Sequence, residues 1–237
     1  MFLYVKLVVE GLCSGEGLKK IVWVRVGMIF QDRDADVLRW INGFGFASVD
    51  HIKAFMGVGQ TAAYVRIKKL VEGGYLERER ILHGQARIHK VTKKGIIASD
   101  DGVLPLKYVN LGTFRHDYKL IDLAMMLEAE TGGKFTPDRR IRHDEGLSGV
   151  GQLGHIPDGY LHIGNNKPIA VELELSVKSR ARIQSIIDDY GGNLNVQEVW
   201  YYTDNKEVVR AISKAASGYS FIKVKAIPDQ SKQAKAG

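Results

Sequence analysis

The chain has 237 residues, 45% of them hydrophobic, which is enough apolar material for two small domains or one large one without disulfide staples. Lysine and arginine outnumber aspartate and glutamate 34 to 27, and the resulting net charge of +7 fits a polyanionic partner and plain solubility alike. The single cysteine, Cys13, excludes an intrachain disulfide and a thiolate zinc cluster and suits a reducing cytoplasm, and no apolar run approaches the roughly 18 residues that cross a bilayer, so no membrane partner is expected.

Residues 1–27 stand apart. Lys6 and Glu10 interrupt the apolar stretch from Met1 to Leu12, which therefore does not read as a secretory leader. Two readings stand: an extra strand, since Leu3, Val5, Leu7 and Val9 alternate with less apolar neighbours, or an extension ahead of a natural start at Met28.

The next stretch, 28–98, reads as three helices and a hairpin. Asp34 is the expected cap of a helix with Val37, Trp40, Ile41 and Phe44 at helical spacing, closed by Gly43 and Gly45. Ser48 caps a second helix carrying Val49, Ile52 and Phe55 on one face. A short glycine turn leads into a third, opened by Gln60 or Thr61, with Ala63, Ile67, Leu70 and Val71 as its buried stripe. Tyr75–Leu82 and Arg87–Val91 then alternate as strands around a His83-Gly84-Gln85 turn, and Thr92 caps a short helix at Lys93-Lys94-Gly95. The run Gly73-Gly74-Tyr75-Leu76-Glu77-Arg78, the hairpin, and then Val91-Thr92-Lys93-Lys94-Gly95 resembles the winged helix-turn-helix of MarR-type and related regulators over residues 32–98.

Charge is concentrated in the same segment. Arg66, Lys68, Lys69, Arg78, Arg80, Arg87, Lys90, Lys93 and Lys94 face only the acids Glu72, Glu77 and Glu79. In a winged helix the recognition helix enters the major groove and the wing follows phosphate, so those nine cations are candidate contacts to double-stranded DNA. Gln60, Thr61 and Tyr64, at the start of the third helix, are candidates to reach base edges or phosphates. A solvated face on a protein-binding domain is the competing reading.

Residues 99–112, with Asp100-Asp101-Gly102 and Pro105, read as a linker. From 113 to 227 the order expected is helix, three strands, helix, strand, helix, strand: a helix from Phe114 to Glu130, strands at Lys134–Arg142, Tyr160–Ile163 and Ile169–Leu175, a helix with Ile183, Ile186, Ile187 and Tyr190 on one face, a strand at Val196–Tyr202, a helix from Lys206 to Ala216 and a strand from Tyr219 to Ala226. The glycine-rich stretch 144–154 is expected to be mobile, and the polar tail 228–237 disordered.

Ile156-Pro157-Asp158-Gly159 and Val171-Glu172-Leu173-Glu174-Leu175-Ser176-Val177-Lys178 carry the chemistry. Strand side chains alternate, so Ile169, Val171, Leu173 and Leu175 share one face and Glu172 and Glu174 the other, where Asp158 can join them. Three carboxylates on one face repel unless a cation binds or one is protonated, and hard oxygens of this kind suit Mg²⁺ or Mn²⁺. Solvent-facing positions of an ordinary hairpin are the alternative. Arg115-His116-Asp117 opens the domain's first helix: Asp117 is a candidate site acid or else a helix-capping carboxylate, and His116 a candidate for proton transfer. Lys178, Arg180 and Arg182 lie at the expected start of the next helix, where cations oppose the dipole and point to an anionic partner or a solvated face.

The order of elements and the PD…ExE pattern resemble the PD-(D/E)XK nuclease superfamily, an α/β (α+β) fold with an αβββαβ core. The resemblance implies metal ligation by Asp158 and Glu172, a third-ligand or water-orienting role for Glu174, and charge stabilisation by Lys178, which stands four residues beyond the position where the motif lysine is replaced by Glu174. The whole arrangement from about residue 30 to 212, including Arg115-His116-Asp117 and the Glu-x-Glu-x-Ser-x-Lys-Ser run, resembles the replication–relaxation family of plasmids and integrative elements. That implies a DNA-binding protein of a mobile element acting in replication, relaxation or mobilisation. The alternatives are an inactive adaptor that recruits a relaxase or replication initiator, and a winged-helix transcriptional regulator; a homodimer would match two-fold DNA sites.

Overall fold

The computed structural model describes residues 4–10, 19–25, 29–81, 86–147 and 155–227. The expected His83-Gly84-Gln85 turn, most of the glycine-rich stretch, the start at Met28 and the tail from Pro228 lie outside the described residues. β1 (Tyr4–Glu10) and β2 (Lys19–Arg25) pair antiparallel, Tyr4 opposite Arg25, as a separate two-stranded sheet. The alternation around Val5 and Leu7 accordingly appears as β1, and β2 is an element the sequence reading did not contain.

The next unit holds three helices followed by a hairpin. In α1 (Asp32–Phe44) the expected cap at Asp34 is not observed: Gln31 is the cap and Asp34 is the third helical residue, its carboxylate accepting from the Gln31 amide at 2.8 Å. The physical reason is burial, because Asp34 is 1% exposed and is held by Arg66. β3 (Ala47–Ser48) leads into α2 (Val49–Met56), capped by the Ser48 hydroxyl accepting from His51 N. Gly57, in the left-handed region at φ 61°, turns the chain into α3 (Gln60–Glu72). β4 (Leu76–Glu79) and β5 (Ile88–Val91) pair antiparallel, β3 flanks β5 on its other side, and Thr92 caps α4 (Lys93–Ser99). Val37, Leu38, Ile41, Ile52, Ala63, Ile67 and Leu70 close over Leu76 and Val91 as one core.

The remaining elements are α5 (Phe114–Thr131), β6 (Lys134–Pro137), α6 (Asp138–Asp144), β7 (Gly159–His162), β8 (Ile169–Leu173), α7 (Arg180–Gly191), β9 (Glu198–Tyr202), α8 (Lys206–Ala215) and β10 (Ile222–Lys225). They build one sheet in the order β10-β9-β8-β7-β6, antiparallel from β6 to β8 and parallel from β8 to β10. The strand expected at Lys134–Arg142 is corrected to β6 plus α6. Pro137 has no N–H to extend the ladder, and Asp138 sits in the first turn of a helix where its charge is favoured.

β8 is buried along its whole length. Val171 and Leu173 pack with Leu120, Leu123 and Leu127 of α5, while Ala170 packs with Ile183, Ile187 and Tyr190 of α7. The sheet thus lies between helical layers, so the face carrying Glu172 is not a solvent face.

The two units share packing. Phe46 and Ile88 form a cluster with Phe114 and Ile121, and Phe44 stacks on Phe135 with centroids 6.0 Å apart. Residues 100–112 contain no helix or strand, yet Asp101 and Val103 are buried. The Asp101 carboxylate accepts from Asn42 of α1 at 2.9 Å and from Arg140 of α6 at 2.7 Å. The described residues form a mixed α and β protein, and none of their helices is long and apolar enough to cross a membrane.

Candidate functional site

Asp158 immediately precedes β7. Its carbonyl accepts from Asp138 N at 3.0 Å, and its carboxylate reaches over to the end of β8, where Oδ2 accepts from Leu173 N at 2.8 Å. The following residue is a glycine in close quarters: a Cβ on Gly159 would lie 2.1 Å from the Phe135 ring, so a larger residue there requires that ring to shift. The Pro157-Asp158-Gly159 motif thereby sets a carboxylate at the mouth of two paired strands.

His116 approaches from the first turn of α5. Its Nε2 lies 3.2 Å from Asp158 Oδ2 and 2.9 Å from the Leu173 carbonyl, and its Nδ1 lies 3.0 Å from Asp117 Oδ1. All three partners are acceptors, so both ring nitrogens donate and the ring is an imidazolium. Burial alone would lower its pKa, but the hydrogen bonds to Asp117 and Asp158 and their charges prevail and push it up to about 10. Asp117 in turn accepts from Thr113 Oγ1 at 2.8 Å. Thr113, not Asp117, is the helix-cap residue, and Asp117 lies in the first turn.

Glu172 enters from the α7 side of the sheet. It is 3% exposed, and its Oε1 contacts His155 Nε2 at 2.5 Å and accepts from the Tyr190 hydroxyl. Burial and the nearby Asp158 charge raise its pKa against the pull of His155 and Tyr190. Burial likewise raises the Tyr190 hydroxyl, as do the charge and hydrogen bond of Glu172. Glu174 is 8% exposed, beyond the end of β8, where it pairs with Lys178. Burial opposes the Lys178 charge, but Glu174, then Glu172 and Asp158, outweigh it and raise the lysine above its usual range. Lys178 thus stands within the field of all three acids. It precedes the Ser179 cap of α7, so the expectation that it lies inside that helix is corrected, while Arg180 and Arg182 are exposed in the first turn.

Asp158, Glu172, Glu174, Lys178, His116 and Asp117 are therefore brought together at the ends of β7 and β8. The reading of Glu172 and Glu174 as solvent-facing hairpin positions is overturned by their burial. Sequence reasoning missed His155 and Tyr190. Tyr190 was legible as a member of the α7 apolar stripe, but its hydroxyl partner lies 18 residues away; nothing near His155 marked it.

Among the described residues, no three His, Cys, Asp or Glu side chains already stand as a metal-binding group. The convergence is of a different make-up: the Asp158 carboxylate and the Leu173 carbonyl meet at the His116 Nε2, and the Asp158 charge reaches Glu172. Hard oxygens of this kind fit Mg²⁺ or Mn²⁺ in chemistry, and the point they address is taken by the His116 ring.

On the three-helix unit, Gln60, Thr61, Tyr64, Lys68, Lys69, Arg78, Arg80, Arg87, Lys93 and Lys94 are exposed. Two of the expected contacts are not available. Arg66 forks onto buried Asp34 and reaches the Ile29 carbonyl, leaving its side chain 12% exposed. Lys90, its side chain 5% exposed, pairs with Glu79 at 2.7 Å and Glu77 at 3.0 Å. Both cations are engaged because their elements, α3 and β5, turn those positions inward. Lys94 divides its role, donating to the Gly73 carbonyl at 2.7 Å and lying over the Tyr75 ring.

Set against family models, curated proteins and solved structures, the chain has no match in any of the three comparisons.

Proposed function

We propose that this chain is a DNA-binding protein of a plasmid or other mobile element, acting in replication, relaxation or mobilisation, with a winged-helix unit that holds duplex DNA and a PD-(D/E)XK-like unit that cleaves it. The observation that carries the reading is the gathering of Asp158, Glu172, Glu174 and Lys178 at the ends of β7 and β8. The exposed cations of α3, β4 and the start of α4 support the DNA-binding half.

Asp158 and Glu172, with the Leu173 carbonyl, are the residues that would hold Mg²⁺ or Mn²⁺. Such an ion supplies Lewis acidity toward a phosphodiester and a more acidic bound water. Lys178, held charged by the three acids, stabilises negative charge developing on the phosphate oxygens. Glu174 orients Lys178, and Tyr190 and His155 fix the rotamer of Glu172.

Calorimetry of Mn²⁺ binding, run beside nicking of supercoiled plasmid, tests the reading on the wild type and Asp158→Ala. Metal binding and nicking are expected in the wild type and lost in the variant, with duplex affinity unchanged. Cleavage that survives Asp158→Ala refutes the assignment.

One observation favours a second reading, a non-enzymatic adaptor that recruits a relaxase or replication initiator. Each acid already has an internal partner: His116 for Asp158, His155 and Tyr190 for Glu172, Lys178 for Glu174. Duplex binding without metal binding or nicking, both in the wild type and in a His116→Ala variant that frees Asp158, is the outcome that selects it.

A further inference from the structure

We propose that the His116 ring is an internal plug of the metal position, latched by Asp117, and that a divalent cation enters the centre only by displacing it. This rests on the cleavage-centre reading above.

The Nε2–H of His116 points at two oxygens together, Asp158 Oδ2 at 3.2 Å and the Leu173 carbonyl at 2.9 Å. An N–H shared by two oxygens lies along the lone-pair directions a hard cation uses, so the ring and the ion compete for one place. A divalent ion needs its oxygens at about 2.0–2.6 Å, too close to leave an imidazole between them.

The latch sits on the same turn of helix. Asp117 Oδ1 holds Nδ1 of the ring at 3.0 Å, and Thr113 Oγ1 fixes the other oxygen of Asp117 at 2.8 Å. Asp117 therefore faces the ring and not the oxygen cluster, which makes it a positioning residue and not a ligand. The rest of α5 cannot give way, because Leu120, Leu123 and Leu127 are buried in the core under β8. The His116 side chain is 27% exposed, so rotation of the ring about its own bonds is the movement left for clearing the place.

The experiment is calorimetric titration of the full-length chain with Mn²⁺ alone, on wild type, His116→Ala, His116→Gln, Asp117→Asn and Asp158→Ala, each checked for a native thermal transition. Removing a competing charge-assisted hydrogen bond should tighten Mn²⁺ binding roughly tenfold in His116→Ala. Asp117→Asn should tighten it by a smaller factor, His116→Gln should fall between, and Asp158→Ala should lose it. A ligand role for His116 or Asp117, or a merely structural one, predicts weaker or unchanged binding in those variants; that result, with binding in the wild type, overturns the plug and leaves the metal centre standing. Binding in His116→Ala but not in the wild type supports the plug in its strongest form. No binding in either overturns the metal centre and the plug together. If His116→Ala does not fold, His116→Gln and Asp117→Asn decide by the same sign.

Discussion

Arg66 separates a structural cation from a DNA contact, and the structure assigns it to the first. Its Nε donates to Asp34 Oδ1 at 2.6 Å while Nη2 reaches Oδ2 and the Ile29 carbonyl at 3.1 Å. Asp34 is 1% exposed, so Arg66→Ala leaves a buried carboxylate whose remaining donor is the Gln31 amide. Breaking a buried pair from one side costs about 3–5 kcal/mol. For a chain of this size that lowers the melting temperature by roughly 6–20 °C, at about 2–4 °C per kcal/mol. Arg66→Lys keeps the charge but not the fork and should lie between. Replacing both partners, Asp34→Leu with Arg66→Met, should recover most of the loss, because no uncompensated charge remains. Urea unfolding followed by circular dichroism measures all four proteins. Should Arg66→Ala unfold within about 0.5 kcal/mol of the wild type, the range of an ordinary surface change, and instead lose duplex affinity while folded, the structural assignment is wrong.

The other expectations are as direct. Gly159→Ala drives a methyl into the Phe135 ring, 2.1 Å from its nearest atom, and should destabilise by about 1–3 kcal/mol in denaturant titration; a neutral result would mean that Phe135 has room to move. His89 is 2% exposed, and burial with the nearby Arg78 charge holds its pKa down to about 4. A depressed histidine contributes stability that is complete above about pH 6.5 and is lost as pH falls toward 4, amounting to about 3 kcal/mol. His89→Leu should remove that part of the pH slope, read by urea midpoints between pH 7 and pH 4; an unchanged slope refutes it. If the three-helix unit holds duplex DNA as proposed, neutralising Arg78, Arg80 or Arg87 should each lower the slope of log affinity against log salt by about 1, whereas Lys90→Ala should leave it alone.

The sequence was most legible where one period governs one element. Ala63, Ile67 and Leu70 fall at helical spacing and are the buried stripe of α3. Ser48 and Thr92 cap their helices because a hydroxyl three residues ahead of a free amide is a local arrangement. Period-two spacing likewise predicts one shared side for Glu172, which lies in β8, and Glu174, which stands just beyond it. It did not reveal that this side is covered, since burial depends on α7 packing over small Ala170. Asp34 failed as a cap because its partner lies 32 residues away, beyond any local rule. His155 and Tyr190 were missed for the same reason. Within the expected Lys134–Arg142 strand the change from β6 to α6 falls at Pro137, which cannot extend a ladder, and Asp138, which favours a first helical turn.

What joins these parts is the packing between the two units. α2 touches α5 through His51, whose Nε2 lies 3.0 Å from Asp122 and whose ring lies 4.4 Å from that of Tyr118. Six residues before Asp122, on the same helix, stands His116. α1 meets α6 through Asn42, Asp101 and Arg140, and Arg139 adds bonds to the Asn42 and Leu104 carbonyls. Phe46 and Phe114 stack at 5.3 Å inside a cluster drawn from both units. A buried aromatic and hydrogen-bonded seam of this kind resists the independent motion expected of domains on a free linker. The face formed by α3 and β4 is thus held at a fixed offset from the carboxylate centre. A duplex seated on that face would be presented to Asp158 and Lys178 at a set distance, so on the proposed reading the position of a cut would be fixed by the fold, not by the length of a tether.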